Sequence, residues 1–123
     1  MKKRIAVALF TLLALPSLAF CADLAGYYKC VGQNPNGSKY EGFVKITPKG
    51  EGYSVKWTIG RSVYTGFGIT GDGVFAVSLL NSPGVVEYKV KHNGVLDGTW
   101  AMASEHPTIS PETLIPEPSG MSK

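Results

Sequence analysis

Cysteine is almost absent from this chain: Cys21 and Cys30 are the only two, which excludes a disulfide-dense scaffold and a cysteine-built zinc cluster. Histidine is as scarce. His92 stands beside Asn93-Gly94 and His106 precedes Pro107, neither with a His, Cys or carboxylate at metal-ligand spacing, so both read as surface residues and no metal or cofactor is expected. The serines lie outside any nucleophile elbow. Asp72 and Asp97 sit next to glycines, where a carboxylate most often bonds to nearby backbone. An enzyme would therefore need a site assembled from distant residues, and none is assigned. Helical periodicity is missing as well, and no apolar run beyond the first twenty residues is long enough to cross a bilayer as a helix.

What is present begins with a leader. MKKR is followed by the apolar run IAVALFTLLAL, and Ser17 and Ala19 are small residues at the positions a signal peptidase reads. The expected organisation is a signal peptide over 1–19, an N-terminal segment over 20–25, a single β domain over 26–116 and a disordered tail over 117–123. The expected location is the periplasm or the cell exterior. Removing Lys2, Lys3 and Arg4 from the twelve Lys plus Arg leaves nine, against nine Asp plus Glu. The formal charge of +3 thus belongs to the leader, and a near-neutral domain gives no footprint for nucleic acid. No transmembrane segment is expected in the mature chain.

Export would place Cys21 and Cys30 in an oxidising compartment, so a Cys21–Cys30 disulfide is expected, tying the N-terminus to the first strand and contributing about 2 to 3 kcal/mol. LAFC at residues 18 to 21 also resembles a bacterial lipobox, with Phe20 where Gly, Ala or Ser is usual. A lipid anchor at Cys21 is the lesser alternative.

The domain itself is punctuated every few residues by turn signals: Asn34-Pro35-Asn36-Gly37, Pro48-Lys49-Gly50-Glu51, Gly60-Arg61-Ser62, Gly71-Asp72-Gly73, Asn81-Ser82-Pro83-Gly84 and Asn93-Gly94. Between them lie short alternating stretches. The clearest is GYSVKWTI, in which Tyr53, Val55, Trp57 and Ile59 alternate with Ser54, Lys56 and Thr58. One phrase is written twice, YEGFVKITPKGEGYSV from Tyr40 and YTGFGITGDGVFAV from Tyr64, each describing a hairpin. In the second copy, Val63, Thr65, Phe67 and Ile69 share one face, and Gly66 and Gly68 share the other. Connections this short force sequential strands to be antiparallel neighbours, since a parallel crossover needs a dozen or more residues. The fold class is all-β: an antiparallel meander of seven or eight strands closing into a small up-and-down barrel, with a coiled open sheet as the alternative. The eighth strand would be ETLIP at 112 to 116, among prolines that argue against a central strand.

The pattern GYYKCVGQNPNGSKYEG from Gly26, ITPKGEGYSVKW from Ile46 and YTGFG from Tyr64 resembles that of a group of small exported bacterial β proteins, a resemblance that covers Gly26 to Trp100 and carries no common activity. At fold level the meander also resembles the avidin and lipocalin type of barrel, and Gly98-Thr99-Trp100 is similar to a short phrase of avidin-like proteins, without a matching set of biotin contacts. Tyr28 to Cys30 resembles a stretch of exported lysozyme inhibitors, whose C-terminal partner cysteine has no counterpart here.

The aromatics remain. Tyr53, Trp57, Tyr64, Phe67, Tyr88 and Trp100 are numerous for so small a domain, and Tyr and Trp carry polar groups a pure core does not need. Trp57 and Trp100 are expected to fill the barrel, in which case the protein binds through its surface or one rim. Trp57, Arg61, Tyr64, Tyr88 and Trp100 are the candidate ligand or partner residues, with Arg61 able to offer a bidentate donor to a carboxylate. The expected function is an exported, non-enzymatic binding domain for a protein or cell-envelope component. The alternatives are a small-molecule carrier using the barrel interior and an enzyme with a spatially assembled site. A packed centre around Trp57 and Trp100 would count against the carrier; a continuous apolar cavity would count against a purely surface-binding protein.

Overall fold

A computed structural model describes residues 23–118. Eight strands follow one another: β1 (Gly26–Gln33), β2 (Lys39–Lys49), β3 (Gly52–Ile59), β4 (Ser62–Gly71), β5 (Val74–Leu79), β6 (Gly84–Val90), β7 (Leu96–Met102) and β8 (Ser110–Pro116). Each pairs antiparallel with the next, and β8 returns to pair with β1, so the meander closes into a barrel. Closure settles the choice against an open sheet. The tight turns carry the left-handed backbone their sequences imply, at Gly50, Gly60, Gly73 and Gly94, with Asp72 the one non-glycine at positive φ among the described residues.

The prolines inside strands explain themselves through register. Pro48 pairs only with Tyr53 of β3, Pro111 only with Thr99 of β7, and Pro116 only with Tyr28 of β1. Each stands beyond the last paired residue on its other side, so the missing N–H breaks no ladder. The sequence expectation that Pro111 and Pro116 disfavour a central strand is met by stagger at the two ends of β8.

Alternation sets the inside. Tyr28 and Cys30 of β1, Val44 and Ile46 of β2, and Val55 and Trp57 of β3 are buried, as are Phe75 and Val77 of β5, Val86 and Tyr88 of β6, Leu96 of β7 and Leu114 of β8. Strand β4 departs from the expectation that apolar residues define the inner face. Gly66 and Gly68 point inward and are buried, whereas Val63, Phe67 and Ile69 are exposed. The barrel needs this: a Cβ on Gly66 would stand 2.8 Å from Val77 and 3.1 Å from the Trp57 ring, and one on Gly68 2.7 Å from Phe75. Two glycines in β4 thus make room for three large side chains supplied by β3 and β5.

The two ends of the barrel differ. At the end carrying the β2–β3, β4–β5 and β6–β7 turns, the N-terminal segment folds in as a plug. Leu24 is buried there, its carbonyl accepting a 2.7 Å bond from the Tyr28 hydroxyl and its N–H donating over 3.4 Å to the Tyr53 hydroxyl. Tyr53 meets Phe75 edge-on at 5.7 Å. This half of the interior is filled, as expected for so small a barrel. The opposite end is not.

Candidate functional site: a cup with a buried carboxylate

At the end where the β1–β2, β3–β4, β5–β6 and β7–β8 connections meet, the barrel opens into a cup of about 170 Å³. Its walls are Tyr40, Tyr64, Trp100 and Trp57, with Ile59, Leu79, Val86 and Met102 completing the apolar surface; Glu112 forms part of its floor. The repeated phrase supplies two of these walls. In Tyr-x-Gly-Phe the tyrosine and glycine point inward and the phenylalanine outward, so Tyr40 on β2 and Tyr64 on β4 flank Trp57 of β3, which pairs directly with Tyr64. Cross-strand aromatic neighbours of this kind stabilise a sheet while presenting flat faces to whatever lies between them.

Glu112 is the centre of the polar network. It is 4 % exposed, and it and Ser110 are the buried polar or charged residues among those described. Its Oε1 accepts a 2.6 Å bond from the Tyr40 hydroxyl, and its Oε2 accepts a 2.9 Å bond from the Trp57 indole N–H and a further bond from the Tyr88 hydroxyl. The Trp57 N–H also reaches the Tyr88 oxygen at 3.3 Å. Beneath, Tyr88 is fully buried and stacked on Phe75 with ring centroids 6.1 Å apart. A buried carboxylate is tolerated when its lone pairs are filled by well-aligned donors, and three converge on this one. All three donors are neutral, and no Lys, Arg or His lines the cup among the described residues.

Trp100 is left incomplete. It stands edge-on to Tyr40 at 6.4 Å, and its indole nitrogen is buried without a hydrogen-bond partner. The Tyr40 hydroxyl lies close enough for that N–H to pull its pKa slightly downward, yet the two lack hydrogen-bond geometry. Because nearly all buried N–H groups in folded proteins are paired, this orphan is an exception, and it belongs to a residue that lines the cup.

The network reshapes titration. Burial first, and then the Glu112 charge, raises the pKa of Tyr88 and Tyr40 well above the ordinary phenol value, and the same two causes raise the Cys30 thiol. Tyr28 is pushed up to about 12 by burial, with Asp23 and Tyr53 adding to it. The folded state therefore holds protons that the unfolded chain releases near pH 9 for the thiol and pH 10 for the phenols. Stability is expected to be independent of these groups below about pH 9 and to fall as pH rises above 10, because the folded state keeps phenol protons that the unfolded chain gives up. Urea unfolding followed between pH 8 and 11.5 checks this; a constant midpoint would show that the phenols are not held protonated.

No protein-family model matches this chain, and neither does any curated protein. The site must be read from its own residues. Of the five positions singled out from sequence, Trp57, Tyr64 and Trp100 line the cup. Tyr88 supports it from below through Glu112. Arg61 occupies the exposed β3–β4 turn at the open end, next to Ser62, which lines the cup, but does not line it itself. Cys30 is a free thiol, fully buried and set against Glu112, with its thiol form favoured, so it has no nucleophilic character. Its expected disulfide partner Cys21, and with it the leader and lipid-anchor expectations, lie outside the described residues. Among the described residues no group of three His, Cys, Asp or Glu is placed to hold a metal ion, and no helix is long and apolar enough to cross a membrane.

Glu112, Tyr40 and Met102 were not singled out from sequence. For Tyr40 the signal existed, since it opens the same phrase as Tyr64. For Glu112 it was weak: inward Leu114 implies inward Glu112 by period two, but Ile115 supports the opposite phase equally well.

Proposed function

We propose that this protein is a non-enzymatic binding domain that takes up a small molecule in the open end of its barrel. The observation that carries this reading is the cup itself: aromatic walls, an apolar lining, a carboxylate in the floor and a buried indole N–H with no acceptor. Binding sites for small molecules are concave and mostly apolar, with a few placed polar groups that fix orientation. Eight-stranded barrels are just wide enough to hold one small ligand when part of the interior is left unfilled. The half-filled interior thus supports the carrier over a domain working through its outer surface. The exposed Val63, Phe67 and Ile69 of β4, with Phe43 of β2 and Val85 of β6, lie on the outer surface and do not line the cup. With the leader implied by the first residues, such a carrier would act in the periplasm or outside the cell. The likeness to avidin and lipocalin-type barrels, which lies at the level of architecture, agrees with an end-opening site and adds no ligand.

Phenol is a suitable probe, offering a flat apolar body and an oxygen that can accept from Trp100. Titrating phenol while following the two indole N–H signals by NMR is expected to move the Trp100 resonance saturably in the millimolar range. Leu79→Phe, which fills the mouth from β5, is expected to abolish the shift with the barrel still folded. A Trp100 signal that stays fixed, or moves equally in Leu79→Phe, would overturn the cup as the site.

A further inference from the structure

From the charge and the walls of the cup, we infer that its ligand is a small organic ammonium ion. This rests on the cup being the binding site and adds the class of molecule that fills it. Two independent features of the cup converge. The first is an uncompensated negative charge. Glu112 is 4 % exposed and bonded to two phenols and an indole, all neutral. Hydrogen bonds spread the carboxylate charge without cancelling it, and no cationic side chain lines the cup among the described residues. In a partly dehydrated concavity that charge is screened far less than on a surface, so it selects against anions and favours a cation at the mouth.

The second is the aromatic enclosure. Tyr40, Trp57, Tyr64 and Trp100 all line the one cup, from strands β2, β3, β4 and β7. Ring faces carry negative electrostatic potential and attract a cation resting against them, most strongly for tryptophan. A fully hydrated metal ion gains little from such walls, whereas an alkylated ammonium matches them, because it carries its charge on an apolar surface that sheds water readily. The apolar lining from Ile59, Leu79 and Val86 fits the same body. Arg61 in the rim turn and Lys39 at the start of β2, both exposed, would favour the opposite sign, and neither contributes to the lining.

Three probes that share a trimethyl body differ in charge: tetramethylammonium, tert-butanol and pivalate. Titrated into the full chain and read on the Trp57 and Trp100 indole signals, tetramethylammonium is expected to bind at least tenfold more tightly than tert-butanol, and pivalate not at all. Glu112→Gln is expected to erase the preference for the cation, so that tetramethylammonium binds no more tightly than tert-butanol. Because that variant disturbs a buried network, Tyr64→Leu serves beside it: it removes one wall at a half-exposed position and is expected to weaken tetramethylammonium severalfold more than tert-butanol. Equal binding of the three probes, or a preference for the alcohol or the anion, would overturn the ammonium assignment while leaving the cup intact. If none of them and no phenol moves either indole signal, the cup reading fails and the ammonium assignment fails with it.

Discussion

Glu112→Leu is expected to lower the stability of the barrel by about 2 kcal/mol, an effect large enough to be read directly from a urea midpoint. The carboxylate is the acceptor for the Tyr40 hydroxyl, the Trp57 indole and the Tyr88 hydroxyl. Leucine fills a similar volume but leaves all three donors without it. Tyr40 lies at the wall of the cup and can turn to water. The Trp57 N–H keeps the Tyr88 oxygen, 3.3 Å away, as an acceptor, whereas the Tyr88 hydroxyl is fully buried and loses its only acceptor, and an unsatisfied buried donor costs about 1 to 3 kcal/mol. Opposing this is the recovery of the work of dehydrating a carboxylate, which in other settings makes removal of a buried charge neutral or favourable. Here the stranded Tyr88 hydroxyl and the weaker remaining bond of Trp57 outweigh the relief of one dehydrated acid whose charge was already well solvated by three donors. Glu112→Gln, which keeps an acceptor oxygen and the shape, is expected to cost about 1 kcal/mol. A Leu variant as stable as the parent would mean that the three bonds merely offset the dehydration of the acid.

Gly98→Ala is expected to destabilise by about 2 to 3 kcal/mol although it adds a single methyl group. Gly98 pairs with Tyr88 across β6 and β7, and a Cβ there would stand 2.5 Å from the Glu87 carbonyl oxygen and 2.5 Å from the Tyr88 ring. The ring cannot swing aside cheaply, because its face rests on Phe75 and its hydroxyl is bound to Glu112. The methyl must displace the β6 backbone or the network, and the Trp57 indole signal should move with it. Gly71 offers the control. A Cβ at that position meets nothing within 4 Å, and its backbone lies in a region open to other residues, so Gly71→Ala should be neutral or slightly stabilising by restricting the unfolded chain. If the two substitutions cost the same, the penalty at Gly98 is one of chain flexibility and the close approach to Tyr88 is not the cause.

Much of this architecture was legible before any coordinates, because it is written in period two and in turn chemistry. Trp57 and its alternating neighbours on β3, the glycine turns and the short connections lead to antiparallel neighbours without further information. Strand β4 shows where such reading stops. Its apolar residues have the stronger pattern, yet the glycines face inward, since the determining quantity is the space required by Trp57, Phe75 and Val77 on neighbouring strands. Pattern along one strand holds no record of the volume contributed by another. Glu112 is hidden for a related reason. A lone acid near prolines at the end of a chain looks like a solvated residue, and only ring closure brings it against Tyr40 and Trp57, separated from it by 72 and 55 residues. The cup was legible in its parts, through Trp57, Tyr64 and Trp100, and illegible as a concavity, because filled and unfilled barrels of eight strands share one alternation.

The pairing of β8 with β1 has a meaning for the whole molecule. The acid of the cup travels on the last strand, and the strand it closes onto is the first; Glu117 even donates its N–H to the Tyr27 carbonyl, a 2.9 Å clasp beyond the end of the ladder. The site consequently does not exist in any partial chain, and it comes into being at the moment the two ends meet. An occupant of the cup would touch residues from both sides of that seam, Asn34 and Tyr40 near the beginning and Glu112 near the end. By mass action it would hold the ring shut, and its departure would leave the closing strand the easier one to peel away.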